Sequence, residues 1–99
     1  MLYNNLKFQT RESEQEDVLT LDDVEQGVKL IVYNDDVNTF DWVIECFVDV
    51  CQHTASQAEQ LSYIVHFNGK ATVKTGSKND LKPMKDALID KGLSAVIEH

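Results

Sequence analysis

The sequence predicts a small α+β domain in which a three-stranded sheet is covered by helices, in the order β-α-α-β-α-β. Three observations predict it. From Val28 onward, short β-branched runs alternate with stretches whose apolar residues recur at helical spacing. Turn and cap residues mark each change of period, at Asn34-Asp35-Asp36, Asn68-Gly69 and Gly92. The 99 residues, 42% of them hydrophobic, suffice for one modest core.

Residues 1–27 differ in composition from the rest. They carry Glu12, Glu14, Glu16, Asp17, Asp22, Asp23 and Glu25 against only Lys7 and Arg11. Arg11 to Asp17 has no apolar residue, so it cannot contribute to a core. An acidic, flexible N-terminal extension is therefore expected, preceding a core domain over 28–99.

Val28 to Tyr33 reads as the first strand, its near-continuous apolar run suggesting burial on both faces or a central position. Asn38 has the chemistry of a helix N-cap, with Asp41 in the first turn. Phe40, Val43, Ile44, Phe47 and Cys51 then follow helical spacing to an end near His53. Ser56-Gln57-Ala58-Glu59 has the form of a capping box and predicts a second helix over 57–66. The apolar members of that helix are Ala58, Leu61, Ile64 and Val65.

Asn68-Gly69 is a turn signal, and Lys70 to Thr75 alternates as a half-exposed strand should, with Ala71 and Val73 on one face. A loop is expected over Gly76 to Asn79. Leu81, Met84 and Leu88 predict a third helix with Pro83 in its first turn, closed by Gly92. Leu93 to Ile97 is the last strand.

The bulk numbers exclude several classes of function. A net charge of -8 opposes binding to nucleic acid or to an anionic membrane, whose phosphates are held by Lys and Arg. The predicted helices at 39–53 and 57–66 present no basic face for DNA. No apolar run of about 18 residues and no signal-peptide pattern occurs, which points to the cytoplasm. Cys46 and Cys51 lie five apart on one predicted helix. Their rotation of about 500° leaves them on different faces and unable to bridge, so reduced, buried thiols are expected. With His53 and His66 they match no zinc spacing, and neither a metal nor a cofactor is expected.

Two features carry chemistry. Asn34-Asp35-Asp36 clusters three oxygen-bearing side chains at a strand-to-helix junction. Such a cluster suits a cationic donor (a metal, an ammonium or a peptide amine), and it equally suits an Asx turn that serves only the backbone. Calcium of the EF-hand kind is excluded by spacing. His66, at a helix end, reads either as a C-terminal cap or as a ligand. No serine or cysteine stands in a nucleophile context, so enzyme activity is not expected.

The Asn34-Asp35-Asp36 run, the helix start Thr39-Phe40-Asp41-Trp42-Val43-Ile44 and the run Val65-His66-Phe67-Asn68-Gly69-Lys70-Ala71 occur in the order and spacing of the ClpS family. Over about residues 28 to 98 the chain resembles these adaptors of the ATP-dependent Clp protease. The resemblance implies a small α/β domain with an N-terminal extension. It also implies a function: holding proteins whose first residue is Phe, Tyr, Trp or Leu (an N-degron) for delivery to a AAA+ Clp unfoldase. It places the substrate's α-amino group among Asn34, Asp35, Asp36 and His66, and its side chain among Asn38, Phe40, Val43, Ser62, Val65 and Leu93. The implied partner is the N-terminal domain of a ClpA- or ClpC-like unfoldase, bound by a monomer. A rival reading is a module that docks on the unfoldase and alters its substrate choice without binding N-degrons. The chain departs from the common family pattern at Asn38-Thr39, where Thr-Pro is frequent, and at Phe40 and Ser62, where Met is frequent.

Overall fold

The structure, a computed structural model, describes residues 27–99; the expected N-terminal extension, residues 1–26 in particular, lies outside the described residues. The predicted order is found: β1 Val28–Tyr33, α1 Phe40–Cys51, α2 Ala55–Asn68, β2 Lys70–Gly76, α3 Lys78–Asp90 and β3 Ser94–Glu98. The sheet order is β2-β1-β3, antiparallel throughout. The near-continuous apolar run of β1 thus belongs to the central strand. Val28, Leu30 and Val32 face the helices and form the core with Phe47, Val73, Leu81 and Leu88, while Ile31 is buried on the other face.

The register of β1 with β2 slips between Leu30 and Ile31, which pair with Lys74 and Thr72 and leave Val73 as an extra residue. The carbonyl of Val73 is met instead by His53, whose Nε2–H donates to it at 2.6 Å. Lys74 reaches from the same bulge to the carbonyl of Cys51 at 3.0 Å, satisfying an end group of α1.

Helix boundaries differ from expectation, each for an identifiable reason. Thr39, and not Asn38, caps α1: its Oγ1 accepts from the Trp42 N–H at 3.1 Å. The helix stops at Cys51 because Gln52 turns left-handed, at φ 61°. The capping box of α2 is formed by Thr54 and Gln57, two residues before the expected pair, and the helix runs on to Asn68. Ser62 takes the buried place on α2 that the periodicity assigned to Ile64, which is exposed. Ser77 caps α3 through the Asp80 N–H, so the expected loop is partly helix and Pro83 lies in the second turn. Its missing N–H leaves the carbonyl of exposed Asn79 without its helical partner.

Cys46 and Cys51 are both free and both fully buried. Both enter the core because α1 is packed against α2, α3 and the sheet. Burial pushes both thiols up, that of Cys51 to about 11, with Lys74 acting in the opposite direction.

The end of α3 is a Schellman motif. Gly92 N–H donates to the Ile89 carbonyl and Leu93 N–H to that of Leu88, at 2.9 and 3.0 Å, while the side chains of Leu88 and Leu93 are buried. Gly92 sits at φ 96°, and a Cβ there would meet only Asn38 Oδ1, at an ordinary 3.6 Å. The cost of a side chain is therefore conformational. Gly92→Ala is expected to lower the unfolding free energy by about 1–2 kcal/mol, read from the urea midpoint at unchanged slope.

Candidate functional site

The turn between β1 and α1 is built by one carboxylate. Asp35 Oδ1 accepts from the backbone N–H groups of Val37 and Asn38 at 3.0 and 3.1 Å, and both its oxygens accept from Asn38 Nδ2 at 3.0 Å. This is an Asx turn extended by a side-chain amide. Asn38 Nδ2 also donates to the carbonyl of Gly92 at 2.9 Å, which fastens the turn to the start of the last strand. A second fastening is the Asn34 N–H, which donates to the Gly69 carbonyl at 2.9 Å. It brings the turn beside the end of α2, where His66 stands. A third is the Trp42 indole, donating to the carbonyl of Lys91 at 3.0 Å under the Lys91 ammonium.

These ties enclose a cavity of about 210 Å³. The turn contributes Asn34, Asp35, Asp36 and Asn38; α1 contributes Phe40 and Val43; α2 contributes Ser62, Val65 and His66. Of the residues singled out in the sequence, Leu93 alone is not on its wall. It is buried behind it, bordering a recess of about 10 Å³ that shares Asn34, Asp35, Asn38, Val43 and Val65 with the main cavity.

The polar groups are in different states. Asp35 is engaged in its own turn, as the structural reading of the motif had it. Asn34, Asp36 and His66 are exposed, and among the described residues no hydrogen bond engages their side chains. Ser62 is buried and its Oγ has no partner among the described residues. The cavity thus has apolar walls at Phe40, Val43 and Val65 and a mouth edged by acceptors.

Sequence reasoning missed an aromatic ledge beside that mouth. Tyr63 lies 4.7 Å from Phe40 between ring centroids, and Phe67 stacks on Tyr63 at 6.0 Å and meets the His66 ring edge-on at 4.9 Å. Tyr63 is half exposed and Phe67 is 73% exposed, although large apolar rings usually seek cover. Their four-residue spacing on α2 was the available signal. Among the described residues, no three His, Cys, Asp or Glu side chains gather as a metal site, and no helix is long and apolar enough to cross a membrane.

The family model described as ATP-dependent Clp protease adaptor protein ClpS matches residues 23–95. The chain is similar to the ClpS adapter protein of Thermosynechococcus vestitus, at 34% identity over 67 residues, covering 67% of this chain and 71% of that one. To the ClpS adapter protein of Acetivibrio thermocellus the identity is 36% over 63 residues, covering 64% and 63%. Among solved structures it resembles Agrobacterium tumefaciens ClpS2 bound to L-phenylalaninamide, with a TM-score of 0.63 over 73% of this chain and 94% of that one. At 19% identity that likeness is one of fold.

The two carboxylates of the turn should separate on substitution. Asp35→Ala removes the acceptor for two backbone N–H groups and one amide, and is expected to cost about 1–3 kcal/mol of stability. Asp36→Ala is expected to stay within about 0.5 kcal/mol of the parent. Urea denaturation of the two variants checks both.

Proposed function

The chain belongs to the ClpS family of ATP-dependent Clp protease adaptor proteins, which are not enzymes, and from that premise we propose that it captures N-degron proteins. Its ligand is a free α-amino group on a first residue that is bulky and apolar: Phe, Tyr, Trp or Leu. The captured protein is handed to the AAA+ unfoldase of the Clp protease. The observation that carries this reading is the pairing of an apolar-walled cavity with unengaged acceptors at its mouth. An ammonium has only donors to offer, so it needs carboxylate, carbonyl or neutral imidazole oxygens and nitrogens around it. Asp36, Asn34 and His66 supply them directly. Asp35, on the same cavity wall, shapes the turn through Oδ1 and meets the amine through Oδ2, which otherwise accepts only from Asn38 Nδ2 among the described residues. L-phenylalaninamide, the ligand of the similar ClpS2 structure, joins a free amine to a benzyl side chain and so has both halves of this chemistry.

Two contributions share the selectivity. Charge-assisted hydrogen bonds to the amine are worth roughly 1.5–3 kcal/mol each before costs. Burying one large apolar side chain among Phe40, Val43 and Val65, over Leu93, adds about 1.5–3 kcal/mol. Set against lost rigid-body freedom, the surplus corresponds to affinity on the order of micromolar or somewhat tighter. In this reading the protein works as a cytoplasmic monomer docked on the N-terminal domain of a ClpA- or ClpC-like unfoldase, with residues 1–27 assisting the handover.

A peptide beginning with Phe or Leu is expected to bind, and its N-acetylated form to bind at least about tenfold more weakly, because acetylation removes the charge and two of the three N–H donors. Calorimetry with the two forms checks this. Equal affinity would dismiss the amine site, and no binding of either, with docking on the unfoldase intact, would favour the modulator reading.

Deleting residues 1–24 is expected to leave peptide affinity within about twofold while abolishing degradation of a Phe-initiated reporter by the matching Clp protease. A segment tethered beside a bound substrate acts at high effective concentration. Degradation at the full-length rate would remove the acidic segment from the mechanism.

A further inference from the structure

We infer that Ser62 recognises the phenolic hydroxyl of a tyrosine at the first position of the substrate, which makes the cavity discriminate tyrosine from an apolar side chain of the same shape. The inference rests on the N-degron reading of the cavity and names the preferred ligand within it.

Ser62 lines the cavity, is only 2% exposed, and its Oγ has no hydrogen-bond partner among the described residues. A buried hydroxyl left unpaired is costly, and native proteins rarely leave one so. The ordinary local outlet for a helical serine is the carbonyl four residues back. Here that is Ala58, and no such bond is made. The cavity walls nearest in kind, Val43, Val65 and Phe40, have no polar side-chain atom to offer. As the side chain stands, Oγ is shielded from the cavity as well, so a partner there requires the side chain to turn.

The placement along α2 fits this. Ser62 and His66 are one turn apart on the same helix face, separated by about 6 Å along its axis. That distance matches the span between the backbone of a tyrosine and its phenolic oxygen. A first residue held by its amine at the His66 end brings that oxygen level with Ser62. Rotation about the single χ1 torsion between its staggered wells turns the shielded Oγ toward the ligand. Both hydroxyls donate and accept, so either can supply the proton. Phenylalanine and leucine fill the space and leave Oγ unpaired.

The test uses the full chain and three peptides identical except at the first residue: tyrosine, phenylalanine and 4-methylphenylalanine. The last has the shape of tyrosine without its hydrogen bond. Tyrosine is expected to bind about three- to tenfold more tightly than 4-methylphenylalanine. In Ser62→Ala, a change that favours the helix, the ratio is expected to fall to near one. Equal affinity of those two peptides for the parent chain overturns the inference, as does a ratio that Ser62→Ala leaves unchanged. Failure of all three peptides to bind overturns the N-degron reading itself and the inference with it. Binding of phenylalanine without a tyrosine advantage overturns only the inference.

Discussion

The candidate site depends on what one amide nitrogen does. Asn38 Nδ2 donates one way to the Asp35 carboxylate and the other way to the Gly92 carbonyl. The first bond shapes the turn that follows β1; the second anchors it to a residue 54 positions away, at the hinge between α3 and β3. The acceptor is available only because Gly92 closes α3 in a left-handed conformation. Without the anchor, the turn would be held to the rest of the domain mainly by the Asn34–Gly69 backbone bond and by Trp42. Asn38 is thus a structural residue first. Its place in the cavity wall follows from that.

This division of labour explains how a cavity edged by charged groups is compatible with a stable fold. The less exposed carboxylate of the cluster, Asp35, accepts three hydrogen bonds on Oδ1 and one on Oδ2, so much of its desolvation is offset locally. The groups left without hydrogen-bond partners among the described residues, Asn34, Asp36 and His66, are at the solvent edge, where water serves them. Farther in, the wall is apolar except at Ser62. The aromatic ledge of Tyr63 and Phe67 extends apolar surface outward from Phe40, past the mouth, and keeps it there by ring-on-ring contact.

How much of this was legible in the sequence depended on the range of the interactions involved. β1 was legible to the residue, because its apolar run and its abrupt polar end are local facts. The cap of α1 was not. Asn38 and Thr39 are both good caps, and the choice between them is made by Gly92, which no local window contains. α2 was placed two residues late, since Thr54 and Ser56 each begin a capping-box pattern and composition alone does not rank them. Its inner face was misread for a related reason. Ile64 is the better hydrophobe, yet Ser62 shares the inward face with Ala58 and Val65, at i, i+4 and i+7. The residues that line the cavity were gathered from two separated segments, 34–43 and 62–66, by resemblance to a family, and periodicity would not have assembled them. Tyr63 and Phe67 escaped notice because the predicted helix stopped at His66, which left Phe67 off the face it shares with Tyr63.

The two cysteines of α1 have a consequence for redox chemistry. The reactive form of a thiol is the thiolate, and both thiols are kept from it by burial, in the middle of the core. A helix that carried such groups at its surface would invite oxidants and stray disulfides. Enclosed as they are, Cys46 and Cys51 behave as small apolar side chains, and the domain does not depend on a reducing milieu to stay intact. Their alkylation instead becomes a clock for the opening of α1, since a reagent reaches them only when the helix lifts from the sheet.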